Sequence, residues 1–189
     1  MIFNSEILTR GDARLALQAE PVQRPDSDLD AEIGALRHAL NKFRDTYGFG
    51  RAIAAPQLGI SKRLIYLHLD SGPHVLTNAE ITWRSEQKFA VWDDCLSVPD
   101  LTVQVERHQS ISLRFQTADG AAQTWQHVAP DLSELLQHEL DHLDGILMTD
   151  RAIDADAMQP IAMRNQLLSA EVWPSSASTT AITQSSDKP

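Results

Sequence analysis

Gln137-His138-Glu139-Leu140-Asp141-His142 is the stretch whose reading decides this chain. It has the form H-E-x-x-H. Residues four apart on a helix share one face, so His138 and His142 can hold one metal ion together. Glu139 lies between them, within reach of a water on that ion. Leu132, Leu135, Leu136, Leu140 and Leu143 recur at helical spacing and form a separate apolar stripe. Asp131, following Pro130, is the expected N-cap, and Gly145 is the expected stop.

A catalytic metal needs a third protein ligand and a position left open for water. The extended protease pattern H-E-x-x-H-x-x-G-x-x-H matches through Gly145 and then fails, because Met148 stands at the last histidine. Glu171 is one distant candidate, in a weakly patterned region. Cys95, the only cysteine, is the stronger one. A Cys–His–His set differs from both common protease patterns.

The 189 residues suffice for one domain with its own core. A 42% hydrophobic and 22% charged composition is that of an ordinary globular chain. One cysteine excludes an intrachain disulfide framework and fits a reducing compartment, so a cytoplasmic location is expected. The start, Met1-Ile2-Phe3-Asn4-Ser5-Glu6, lacks the basic-then-apolar order of a signal peptide. No segment reaches the roughly 18 apolar residues of a membrane span. A formal charge of −10 argues against a broad nucleic-acid surface. A monomer is expected.

Residues 1–25 read as an extended arm with one short turn. Asp26-Ser27-Asp28 opens a helix carrying Leu29, Ile33, Leu36, Leu40 and Phe43, capped by Ser27 or Asp28 and ending near Gly48. Residues 50–60 are small, with Pro56 embedded, and suit neither a standard helix nor a strand. Strands are expected at 63–69, 74–78 and 81–84, with a turn at 70–73. Residues 91–99 carry Cys95 into a proline-ended loop. Alternation marks strands around 102–107 and 111–115, and Asp119-Gly120 marks a hairpin before a strand at 123–128. A weak helix is expected after Arg151, running to about 169 and broken or started by Pro160. The domain is taken as residues 1–170, and the Ser/Thr-rich residues 171–189 as a disordered tail. The fold class is α+β, with short antiparallel strands around a central metal-binding helix.

Three segments stand out in order: residues 50–57, Cys95-Leu96-Ser97, and residues 137–142. Together they resemble the signature motifs of peptide deformylases, roughly G-x-G-x-A-A-x-Q, E-G-C-L-S and Q-H-E-x-D-H. The flanking Leu58-Gly59-Ile60, Val98-Pro99 and Asp150-Arg151 agree, and the likeness spans about residues 7–152. The resemblance implies removal of the N-formyl group from the initiator methionine of nascent polypeptides, releasing formate. It implies that Cys95, His138 and His142 hold one divalent ion, Fe(II) in the cell, replaceable by Zn or Ni. The ion would lower the pKa of bound water, and Glu139 would serve as general base and acid. Gln57 and the Leu96 N–H would meet the oxyanion. Gly50, Ala52 and Asp94 would line the substrate. Gln137 and Asp141 would not touch it.

Two departures bear on the substrate rim. Ala52 replaces the second glycine of the first motif, and Asp93-Asp94 replaces Glu-Gly before the cysteine. Alanine at a positive φ would cost roughly 1–2 kcal/mol. Asp94 adds charge beside a ligand, and Glu134, one turn before His138, faces the same way. The expectation is a cleft more acidic than a formyl-methionine pocket needs, in a deformylase with altered preference. A non-catalytic metal-binding module and an H-E-x-x-H peptidase are the competing readings.

Overall fold

In the computed structural model, residues 6–24, 26–170 and 174 are described. The expected tail at 171–189, Glu171 and the first five residues lie outside them, apart from Pro174. Helix α1 (Leu29–Tyr47) forms where the 3.6-residue period puts it, burying Leu29, Leu36, Leu40 and Phe43. Its cap differs from expectation: no side-chain bond comes from Asp28, and the Asp26 carboxylate accepts the Asp28 N–H at 3.1 Å. Gly48, at φ +78°, closes the helix.

The small-residue stretch does form a strand, β1 (Ala52–Ala54), before a 3-10 turn at Ala55–Leu58. Its alanines are buried, because only small side chains fit between neighbouring elements there. Strand β2 (Leu64–Leu69) pairs with β3 (Gly72–Arg84). The two short strands expected at 74–78 and 81–84 are one strand with shifted register, and Asn78 sits at φ +53° between them. Strands β4 (Lys88–Cys95) and β5 (Val98–His108) form a hairpin. The cysteine therefore ends a strand rather than entering a loop. Pro99 lies in the following strand near its start, where a missing N–H is tolerated. Strand β6 (Ile111–Gln116) pairs with β7 (Ala122–Trp125) across the turn containing Asp119-Gly120, and β7 stops before 128.

Helix α2 (Pro130–Leu143) carries the metal-ligand spacing. Ala129 is its N-cap and Pro130 its first residue, so Asp131 lies inside the helix. Of the expected helix only the part after Pro160 forms, as the short α3 (Arg164–Ser169), and it is preceded by β8 (Met158–Pro160). Pairing of β8 with β5 overrides the weak helical pattern.

Two antiparallel sheets result, one ordered β1-β2-β3-β6-β7 and the other β4-β5-β8. Helix α2 touches β1 of the first and β5 of the second, which makes it central. Leu135, Leu136, Leu140 and Leu143 pack into the larger sheet with Ile65, Leu113 and Trp125. Helix α1 covers β1 and β2, while Val91, Cys95, Val103, Val105 and Met148 form a separate cluster. Among the described residues no helix is long and apolar enough to cross a membrane.

The arm is stitched to the body. Leu8 N–H donates to the Gln57 carbonyl and Arg10 N–H to that of Ser97, both at 2.8 Å. Ala19 N–H reaches the Leu143 carbonyl at 2.8 Å, which holds the arm against the end of α2. Gly145 sits at φ +73°, and a Cβ there would fall 2.6 Å from the Ala16 carbonyl oxygen. Glycine is required on both counts.

Lys62 ties the start of α1 to the body. Its Nζ bonds Asp26 at 2.7 Å and the buried Glu32 at 2.8 Å. Burial opposes the ammonium charge, but these two carboxylates outweigh it and raise the Lys62 pKa. The Lys62 bond lowers that of Asp26. The Asp26 contribution is present above the ordinary carboxylate range and lost as pH falls through its lowered value; that of Lys62 is lost only as pH rises through its raised value. Lys62→Met should cost about 2 kcal/mol in urea unfolding at neutral pH. The gap to the parent should narrow below about pH 4.

Candidate metal centre and its cleft

Strand β4 alternates, so Asp93 and Cys95 point to one side and are buried at 2% exposure each. Helix α2 brings His138 and His142 to meet that sulfur. Cys95 Sγ lies 3.2 Å from His142 Nε2, which lies 3.2 Å from His138 Nε2. One donor atom from each of the three residues falls within 4.8 Å of the others.

Four-coordinate ions of the zinc type, with bonds of about 2.0–2.3 Å, hold neighbouring donors about 3.3–3.6 Å apart. The observed spacing is close to that, and the donor set of one sulfur and two imidazoles is one that binds transition metals. The three residues fit a single divalent ion. Burial first, then the His138 charge, lowers the His142 pKa, which keeps the ring in its neutral, ligating form. Met148 is 1% exposed in the apolar cluster of the smaller sheet, so it offers nothing to a protease-type site.

Behind the donors runs a chain of charges that local sequence reading missed. His138 Nδ1 lies 2.9 Å from Asp93 Oδ1, close although not aligned as a hydrogen bond. Arg107 bridges Asp93 at 2.8 Å and Asp141 at 2.5 Å, and Arg151 reaches Asp141 at 2.8 Å. Burial alone would raise the Asp93 pKa; His138 and Arg107 reverse this and hold its carboxyl far below the usual range. Asp141 thus serves Arg107 and Arg151. Gln137 exchanges bonds with the backbone of His108, locking α2 onto β5. Neither lines the cleft. The signal for Asp93 was available, since it stands two residues before Cys95 on a strand.

A cleft of about 450 Å³ opens over His138 and Glu139. Glu139 is 3% exposed, its Oε2 has no hydrogen-bond partner among the described residues, and burial lifts its carboxyl to about 7. Gln57 is fixed by the Ala54 N–H, which donates to its Oε1 at 2.8 Å. Its Nε2 points toward Ser97 Oγ at 3.1 Å and Cys95 Sγ at 3.8 Å. Leu96 sits in the two-residue turn after Cys95 and lines the cleft. Gly50, Ala52 and Asp94 line it as well.

The rim answers one open question and corrects one expectation. Ala52 lies in extended β1 and is absent from the residues at positive φ, so alanine brings no backbone strain there. The position that needs glycine is Gly50, at φ +112°. Five acidic residues and three arginines line the cleft, but the two carboxyls behind the expected acidity, Asp94 and Glu134, are each paired with an arginine. Glu134 is bound by Arg51 at 2.8 Å, and Asp94 by Arg164 at 2.7 Å. Burial raises the pKa of both carboxyls, and the two arginines oppose it. Arg164 comes from α3, seventy positions from its partner, where no local pattern announces it.

A family model described as polypeptide deformylase matches residues 4–158. A Brucella melitensis protein named peptide deformylase-like is 40% identical over 142 residues, covering 74% of this chain and 83% of its own. The peptide deformylase of Thermotoga petrophila is 32% identical over 145 residues, covering 75% and 82%. Among solved structures, the peptide deformylase of Thermotoga maritima superposes with a TM-score of 0.72 at 30% identity, covering 79% of this chain and 97% of that one. That of Synechococcus elongatus, in complex with actinonin, gives 0.73 at 29% identity, covering 87% and 84%.

Asp93→Asn should loosen the centre by removing a charge from both His138 and Arg107. Chelator competition should show metal affinity about 10- to 100-fold weaker. Unfolding should show a loss of about 3 kcal/mol, because Arg107 keeps only one buried partner.

Proposed function

The chain belongs to the peptide deformylase family and is an enzyme of that kind, and we propose that Cys95, His138 and His142 hold its one divalent ion while Glu139 handles the proton. Removal of the N-formyl group from polypeptides is the family's function. The observation that best supports this assignment is three buried donor atoms converging beside a buried carboxylate with an unpartnered oxygen. A divalent ion bound there supplies the Lewis acidity that makes hydroxide available near neutral pH.

The roles of the chain's own groups follow from their placement. With its carboxyl at about 7, Glu139 can as the carboxylate take the proton of the attacking water and, once protonated, return it to the amine nitrogen as the formyl C–N bond breaks. The Gln57 amide and the Leu96 N–H donate to the oxygen that gains charge at the formyl carbon. Preorganised donors of this kind do most when their own positions are fixed, and the Ala54 N–H fixes Gln57. Gly50, Ala52 and Asp94 bound the substrate.

We take Fe(II) as the resident ion, with Zn or Ni able to replace it, because one thiolate and two imidazoles suit all three. The partner is the formylated N-terminus of a nascent chain. The setting is the cytoplasm and the working unit a monomer, a reading favoured by the lone cysteine and the net charge of −10.

Metal-loaded protein should release formate from formylated tripeptides. Glu139→Ala should lower kcat by about 10²- to 10⁴-fold while retaining its metal. Gln57→Leu should lower it by about 10²- to 10³-fold. Cys95→Ser should lose most of its metal on dialysis. Formate release that is indifferent to Glu139→Ala would overturn the assignment.

A further inference from the structure

Part of the cleft wall beside the reacting groups is polar: two ion pairs are set into it among apolar residues such as Phe49, Leu96 and Leu135. Glu134 is one helical turn before His138 and on its face, and both line the cleft, so a substrate side chain held there would meet it. Its side chain is 8% exposed, and Oε2 accepts from Arg51 Nη2 at 2.8 Å. Arg51 also donates to the Asp131 carbonyl at 3.2 Å. Across the cleft, Asp94 Oδ2 accepts from Arg164 Nε at 2.7 Å, with the guanidinium 4.2 Å above the Phe49 ring centroid. Both pairs line the same cleft as His138 and Glu139. Among the described residues no hydrogen bond reaches Glu134 Oε1 or Asp94 Oδ1.

This wall sets the chemistry of the side chain it can take. A thioether is at most a weak acceptor. Pressed here, it would strip water from the ion pairs and return almost nothing. A side chain with a full charge would gain at one partner of each pair and lose at the other. A neutral group with both a donor and an acceptor gains at both. We propose that this deformylase, on the reading given above, prefers a formylated residue with a neutral, hydrogen-bonding side chain of the carboxamide type over formyl-methionine. Glutamine meets this description and nearly matches methionine in length.

The test compares formyl-Gln-Ala-Ser with formyl-Met-Ala-Ser on the metal-loaded full chain. One readout is kcat/KM for formate release. The other is equilibrium binding to Glu139→Ala, which is expected to hold the peptide without cleaving it. We expect both to favour glutamine by about tenfold or more. Equal or tighter binding of the methionine peptide overturns the inference, and formate release then leaves the deformylase reading standing. Tighter glutamine binding with no formate from the parent protein supports the polar wall and sinks the deformylase reading. Failure to bind either peptide overturns both. Arg51→Met with Glu134→Leu keeps the volume and removes both charges, so it should shift the binding ratio toward methionine by about tenfold. An unchanged ratio overturns the assignment to this pair.

Discussion

The site depends on one buried guanidinium. Arg107, on β5, holds Asp93 of β4 with one nitrogen and Asp141 of α2 with another. These two bonds join the strand that carries the cysteine to the helix that carries the histidines. Beyond that link, the elements carrying the sulfur and the imidazoles are tied by apolar packing and by the Gln137 bonds to the His108 backbone, neither of which reaches β4 as the forked ion pair does. Burying such a group is expensive, and it contributes little to stability against an apolar replacement. Its value here is geometric, because a shift of about 1 Å in either element would pull the three donors apart.

The same device recurs around the cleft. Arg51 with Glu134, and Arg164 with Asp94, balance charge while leaving polarity in place. A carboxylate alone beside the reacting carbon would oppose charge growing on its oxygen. Paired with an arginine, it becomes a dipole whose effect depends on direction. The departure at position 94 therefore has its counterpart at position 164, and neither can be understood without the other.

The parts of this arrangement that were legible in the sequence are those written in local spacing. The four-residue separation of His138 and His142, the apolar period of α1 and the alternation of β6 each state their own geometry. What the residues did not state is set by pairing across the fold. Arg107 looks like any strand arginine until β5 is placed against α2. Arg164 looks like a lone surface cation until the chain returns after β8. Residues 158–160 read as helix because their strand character is supplied by β5. The excess acidity inferred from Asp94 and Glu134 failed for the same reason, since their partners lie 70 and 83 residues away.

Two of the arm's hydrogen bonds bear on the order in which the molecule can assemble. Leu8 and Arg10 leave the ribosome early, yet the carbonyls they need belong to Gln57 and Ser97. This segment must therefore stay bound to water until both the 3-10 turn and the hairpin have been synthesised. Contacts of such long sequence separation form late in folding, after the loops between them have closed. Docking of the arm thus reports that the Gln57 and Ser97 side of the cleft is already built, so a segment translated before its partners is fastened after them.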